Sequence, residues 1–292
     1  MSNELSNKSS NAVDAHCHVF DPARFPFAAP PAYQPPPHEV GTALHLAAVH
    51  DAHGISHALL VNPTGGYGYD NGCMLAAIRA FPTRFRGIAR VPPDADARAL
   101  RPLADGGVVG LRLDLVADGL AVLRHPALAR LFAQARELGW LLQVQCEGDQ
   151  LAEAGPQLRA ARLPLVFDHC GRPAADRGLD APGFRALLEF GRDGHAVKLS
   201  GPFRFAAAPP IYFAAEPFVA ALIDAFTVDR CVWASDWPFM RIQSRIDYGP
   251  VRALLDRWLP DENDRRRVLW DTPARLFGFG AYAAGSAQGG QM

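Results

Sequence analysis

Cysteine is scarce in this chain and scattered: Cys17, Cys73, Cys146, Cys170 and Cys231. The count is odd and no CxxC pair occurs, which excludes a disulfide framework and a cysteine-built zinc site. A reduced, cytoplasmic protein is the expectation. No apolar run reaches the ~18 residues that a membrane span needs. The polar stretch Met1–Asn11 lacks the apolar core of a signal peptide, so no membrane partner is expected. An excess of positive charge is missing too: the formal net charge is −1 and no basic stripe runs along the chain, which argues against nucleic acid. Finally, no G-x-G-x-x-G follows the first apolar strand, which weakens a dinucleotide-binding reading.

What is present is an ordinary globular composition, 49% hydrophobic and 20% charged over 292 residues. Short apolar runs alternate with amphipathic segments. The strands expected are Ala12–His16, Ala58–Val61, Gly87–Val91, Val108–Leu113, Leu141–Cys146, Leu165–Asp168, Ala196–Ser200 and Cys231–Ser235. Helices are expected at Thr42–His53, Asn71–Ala80, Pro126–Leu138, Gly183–Phe190, Glu216–Ala225 and Asp264–Phe277. Several strands are continuous apolar runs, as strands buried on both faces must be. Eight strand–helix units point to a closed α/β barrel, a single (β/α)8 TIM barrel, more than to an open sheet. The expected layout is a flexible segment 1–12, one barrel domain 13–280 and a flexible tail 281–292. The proline-rich stretch Asp21–His38 is neither helix nor central strand. Leaving from the end of the first strand, it is expected to lie over the barrel mouth.

In such a barrel the active site sits at the C-terminal ends of the strands. Those ends carry Asp14-Ala15-His16-Cys17-His18, Arg112 and Asp114, Gln143 and Gln145, Asp168-His169-Cys170-Gly171-Arg172, Lys198-Leu199-Ser200, and Ser235-Asp236-Trp237-Pro238. Side chains two apart on a strand point the same way, so His16 and His18 converge on one ion or one substrate oxygen. Imidazoles with a carboxylate suit a divalent metal or a hydrolytic water. Each feature has a plainer explanation. An H-x-H pair falls by chance on surface turns, a lone His169 is more often a satisfied buried histidine, and Asp236 before Trp237-Pro238 fits a turn or cap. Their joint arrival at one rim favours function. Cys17, Cys146 and Cys170 are taken as small barrel residues. Cys17, between two histidines, is the one cysteine placed to be a nucleophile. His38, His45, His50, His53, His57, His125 and His195 are assigned to surface or helix positions.

These motifs resemble the amidohydrolase-related (amidohydrolase family 2) barrel hydrolases, in particular the 2-pyrone-4,6-dicarboxylate lactonase group. The resemblance is carried by Val13-Asp14-Ala15-His16-Cys17-His18-Val19-Phe20 with its proline-rich sequel, Asp168-His169-x-Gly171-Arg172-Pro173, and Lys198-Leu199-Ser200 with Arg204. Trp233-Ala234-Ser235-Asp236-Trp237-Pro238, Asp70-Asn71, Gly110-Leu111-Arg112 and Thr272-Pro273-Ala274-Arg275-Leu276 agree as well. It implies that His16, His18 and His169 surround a scissile lactone carbonyl and that Asp236 works on the hydrolytic water. It implies that no metal is obligatory. If one divalent ion (Zn or Mn) binds, His16, His18 and Asp236 are its ligands. Gln143 and Gln145 stand where metal-dependent relatives place a further ligand, which argues against a binuclear site. The chain departs from the group in two places. No arginine follows Arg112 until Arg124, and Gln145 replaces an aromatic hydroxyl.

The expected function is therefore hydrolysis of a small carboxylated or sugar-acid lactone. Arg112, Arg204, Arg172, Asn62, Thr64, Gln145 and Ser200 are the candidate substrate contacts. One alternative keeps the barrel as a mononuclear metal-dependent amidohydrolase or decarboxylase, with His169 as acid/base. Another is a non-enzymatic binding protein. A homo-oligomer is left open.

Overall fold

The computed structural model describes residues 11–29 and 33–280. The expected flexible ends, apart from residues 11 and 12, lie outside them. Eight parallel strands follow one another in chain order around a single sheet: β1 (Val13–Cys17), β2 (His57–Val61), β3 (Phe85–Ala89), β4 (Val108–Asp114), β5 (Leu141–Gln145), β6 (Leu165–Phe167), β7 (Ala196–Leu199) and β8 (Cys231–Trp233). The ring closes between its first and last members. The Asp236 amide donates to the His16 carbonyl at 2.8 Å, the His18 amide donates to the Trp237 carbonyl at 2.9 Å, and Cys17 bridges Trp237 in parallel. This is the expected (β/α)8 TIM barrel. Strand bounds differ from expectation by two residues at most. β6 and β8 stop early, because Asp168–Arg172 and Ala234–Asp236 turn out of the sheet toward the mouth.

Alternation along the strands sorts side chains into two cores. Val13, Ala15, Leu59, Val61, Ile88, Leu141, Val166, Ala196, Val232 and Ala234 pack inside the ring, with Phe277 and Phe279. Their neighbours Ala58, Leu60, Phe85, Leu142, Phe167, Val197 and Trp233 belong to the core that also takes in the helices. β1 breaks the alternation. Asp14 pairs with Ala58 but Cys17 with Leu60, so β1 spends one residue more than its partner. Such a bulge re-aims side chains. Asp14 points outward to His50 and Tyr248 on the surrounding helices, whereas His16 points inward to Lys198 and Asp168.

The helices Ala43–Ala52, Gly72–Ala80, Leu128–Glu137, Pro182–Arg192 and Glu216–Phe226 match expected ones. In the first of these Leu44 is exposed, and Leu46, Ala47 and His50 form the buried face. The last expected helix is divided into Glu262–Arg266, a π-helical turn Arg267–Asp271 and Thr272–Phe277. Besides the four-residue turn Leu115–Asp118, three further helices, Ala97–Asp105, Gln150–Ala160 and Tyr248–Trp258, were not expected. Each contains a proline (Pro102, Pro156, Pro250), and each lies where the sequence reading assigns no element.

The described part of 21–38 lies on the C-terminal rim, against the loop that follows β2. Ala28 N donates to Gly66 O, and Gly66 N donates to Tyr33 O. Phe27 packs edge-on against Phe20 and at a tilt against Tyr67.

Candidate active site

His16, His18, His169 and Asp236 meet at the mouth of the barrel, all buried. His16 Nε2 lies 3.3 Å from His18 Nε2. Asp236 Oδ1 lies 3.9 Å from the first and 3.6 Å from the second, and Oδ2 lies 3.7 Å from His169 Nε2. The two carbonyl–amide bonds that close the ring fix this grouping, since they tie His16 and His18 to the turn that carries Asp236. Asp236 itself sits at φ +65, a left-handed backbone that a carboxylate residue adopts more readily than most.

Protons can be placed from the partners. His18 Nδ1 faces the Val61 carbonyl at 2.7 Å, so it must donate, and Nε2 presents its lone pair to the site. His169 Nδ1 pairs with Ser200 Oγ at 3.0 Å. His16 Nδ1 has two neighbours, Lys198 Nζ at 3.1 Å and Asp168 Oδ1 at 3.2 Å. If the lysine ammonium donates, the His16 proton sits on Nε2, turned toward His18 Nε2 and Asp236 Oδ1 behind the cavity wall. If His16 donates to Asp168, Nε2 is bare.

Beneath His16 lies a closed polar network. Lys198 Nζ donates to Gln143 Oε1 at 2.6 Å and reaches Asp168 Oδ1 at 3.1 Å, and Gln143 Nε2 donates to Asp168 Oδ2 at 3.0 Å. Burial alone would push Asp168 up, but Lys198 and His16 hold its carboxyl well below the usual range. Burial, aided by the Lys198 charge, keeps His16 far below its ordinary value, and burial lowers His169 to about 4. Both imidazoles are therefore neutral at pH 7. For Asp236 burial also pushes upward, but the Arg204 guanidinium and the imidazoles outweigh it and keep the carboxylate ionised. Burial raises the Cys17 thiol well above its ordinary value, and its Sγ faces the Leu59 carbonyl. A thiol in that state is no nucleophile.

The site opens into a cavity of about 570 Å³, within the range of small-molecule pockets. Of the residues singled out in the sequence, His18, His169, Asp236, Arg112, Arg172, Arg204, Thr64 and Gln145 line it. Arg112 reaches it from β4, held by the Asn62 carbonyl at 3.1 Å and by Gln145 Oε1. Arg172 is paired with Glu147 at 2.9 Å, and Arg204 is clamped on Asp236 Oδ2. Asn62 and Ser200 stand behind the wall: Asn62 Nδ2 donates to the Gly68 carbonyl, and Ser200 supports His169. The described residues of the proline-rich loop contribute no wall of their own and buttress Gly65, which does. Lys198 and Gln143 are noted in the sequence only as strand-end residues, not as site residues, and Arg241 is not noted at all. Lys198 and Gln143 had a signal, since each shares strand parity with inward residues. Arg241, in the irregular segment after β8, had none. His50, assigned to a surface or helix position, is on a helix but fully buried, bonded to Asp14. His57 opens β2 instead.

His16, His18 and Asp236 place one ligand atom each within 4.8 Å of one another. Asp236 Oδ1 is buried with no hydrogen-bond partner. With the His18 lone pair aimed at the same point, this donor set fits a divalent metal ion.

Comparison with known proteins agrees with this fold. A 4-sulfomuconolactone hydrolase of Hydrogenophaga intermedia is 30% identical over 273 residues, covering 91% of this chain and 88% of that protein. A 2-pyrone-4,6-dicarboxylate hydrolase of Comamonas testosteroni is 30% identical over 280 residues, covering 92% and 90%. Among solved structures, a "probable 2-pyrone-4,6-dicarboxylic acid hydrolase" of Acinetobacter baumannii with citric acid bound superposes with a TM-score of 0.83 at 28% identity, covering 92% of this chain and 100% of that one. The amidohydrolase family model matches residues 13–279. With a match of that extent over this barrel and this rim, the chain belongs to the amidohydrolase family.

Proposed function

We propose that this protein opens a small carboxylated lactone by attack of a water molecule activated at Asp236. The observation that carries the reading is Asp236 Oδ1: a buried, ionised carboxylate oxygen without a hydrogen-bond partner, facing the His16 and His18 imidazoles beside an arginine-lined cavity, with His169 at the other oxygen. A water bound there would give its proton to Asp236 as its oxygen attacks the lactone carbonyl. His16, donating through Nε2, and His169 would hold the developing oxyanion, where fixed donors in a dry site act most strongly. The ring C–O bond then breaks, and the leaving oxygen takes up the proton held on Asp236. Lys198 supports this arrangement, because an ammonium against His16 Nδ1 keeps the His16 proton on Nε2. Arg112 is the candidate grip for a substrate carboxylate, since a guanidinium offers a planar fork to it. The similarity to hydrolases named for lactones supports the same substrate class.

A second reading has its own support in the donor set described above. If a divalent ion is bound, His16, His18 and Asp236 hold it, and it supplies an acidified water and polarises the carbonyl. His16 would then give its Nδ1 proton to Asp168.

The test is turnover of 2-pyrone-4,6-dicarboxylate, muconolactone and aldonolactones, with metal content measured on the same sample. Asp236→Asn should lower kcat by ~10²–10⁴-fold while leaving the unfolding midpoint near that of the parent. Near-normal turnover would remove Asp236 from the mechanism.

A further inference from the structure

We propose that Arg241 is a specificity-determining residue, binding a second carboxylate on the end of the substrate remote from Arg112. This rests on the lactone reading above and names the substrate class more narrowly: a lactone with anionic groups at both ends.

Four guanidinium groups line the catalytic cavity, those of Arg112, Arg172, Arg204 and Arg241. Three have fixed acceptors in the protein, respectively Gln145, Glu147 and Asp236. Arg241 differs. Among the described residues its guanidinium makes no ion pair and lies 4.5 Å from the centre of the Tyr33 ring. A ring face is a weak holder for an exposed cation, so a carboxylate that offered a charge-assisted bond would take the guanidinium from it.

The backbone that presents this group is built. Arg241 adopts φ +61, a left-handed conformation that a side chain bearing a Cβ occupies at a cost. The buried Glu39 carboxylate holds it there, accepting from Arg241 N at 2.9 Å through one oxygen and from the Tyr33 hydroxyl at 2.7 Å through the other. One carboxylate thus fixes both the arginine and the ring on which it rests. Tyr33 in turn packs on Gly65, which lines the same cavity.

Position completes the case. Arg112 stands on β4 and Arg241 follows β8, and in a closed ring of eight these strands are opposite each other. A planar lactone held between them would meet one guanidinium at each end, with its carbonyl over Asp236. The stretch after Arg112, Leu113 to Leu123, carries no arginine, so a second cationic grip has to come from elsewhere on the rim. Among the described residues, Arg241 is the lining arginine left without an ion-pair partner.

The experiment compares the parent with Arg241→Met and Arg241→Lys on 2-pyrone-4,6-dicarboxylate, which has two carboxylates, and muconolactone, which has one. Citrate, which is not a lactone, is titrated by calorimetry in parallel. Arg241→Met should raise KM for the dicarboxylate by ~10-fold or more relative to the change for muconolactone, with kcat moving much less. Arg241→Lys should recover part of the loss, and citrate binding should weaken ~10-fold in the Met variant. Equal changes on both lactones, or none on either, would overturn the assignment. If neither lactone is turned over by the parent, the hydrolase reading falls and citrate decides Arg241 alone: unchanged or absent binding rejects the anion subsite, and binding lost in the Met variant upholds it.

Discussion

The Val61 carbonyl can only accept, so His18 must spend its proton there and keep a lone pair for the site. Constraints of that kind fix the imidazoles of this rim, and burial keeps those of His16 and His169 neutral. They also cost stability in acid. His169 titrates at 6.5 in an unfolded chain and at about 4 when buried here. Between those values the unfolded state binds a proton that the native state refuses, so stability falls as pH drops through this window, by at most ~1.4 kcal/mol per pH unit. From about pH 6 to about pH 5, urea unfolding of the parent should therefore lose about 1 kcal/mol more than that of His169→Gln. His16 is depressed in both proteins and cancels. Equal losses would mean that His169 is charged in the folded protein. At this scale the cluster was legible in the sequence, because His16, His18, His169 and Asp236 each sit in a short motif at a strand end. Their supports were less so. Lys198 reads as one residue of an apolar strand, and nothing local tells that it will meet Asp168 and Gln143 from two other strands.

Among the elements, β1 decides most. Its extra residue turns Asp14 away from the histidine that stands two places on, against the plain alternation that the sequence suggests. Outside the ring Asp14 becomes a clasp on the seam. It accepts from Ser235 N at 2.9 Å, from the Ser235 hydroxyl at 2.5 Å and from the Tyr248 hydroxyl at 3.0 Å, and it meets His50 Nε2 at 3.2 Å. The residue after Ser235 is Asp236. Asp14→Ala leaves several buried polar groups without a partner, and the expected loss is about 3–5 kcal/mol, read as the urea midpoint, together with a fall in kcat. A loss under about 1 kcal/mol would show that the seam is held by the backbone bonds alone. The three unexpected helices show a different limit. Pro102, Pro156 and Pro250 break the helical pattern in sequence, yet Leu100 with Leu103, Leu151 with Leu158, and Val251 with Leu255 are buried against the barrel. At Pro102 and Pro156 packing outweighs the local cost of a missing amide hydrogen bond, and Pro250 lies in the first turn, where no such bond is lost.

For the molecule as a whole, the notable contrast is between its net charge of −1 and the cavity. Among the charged residues lining the cavity, four arginines face two aspartates, Asp114 and Asp236. An excess of positive charge concentrated at one mouth raises the local concentration of anions, an effect that salt screens over a Debye length of ~10 Å at 0.1 M. For a dianionic lactone kcat/KM should fall several-fold between about 10 and 150 mM NaCl, and for an uncharged aldonolactone it should hardly move. The same slope for both substrates would place the salt effect elsewhere than in attraction to the cavity. The barrel itself was legible from the eight-fold βα rhythm. The charge of its mouth was less so, because it depends on which arginines their neighbours neutralise.

The seam between β1 and β8 also orders events in time. His16 and Asp236 stand 220 positions apart in the chain, which a ribosome working at ~5–20 residues per second needs roughly 10–45 s to cover. Throughout that interval the nascent protein owns its imidazoles but not the carboxylate they surround. The candidate site is thus assembled late, and its completion marks the moment the ring is sewn shut.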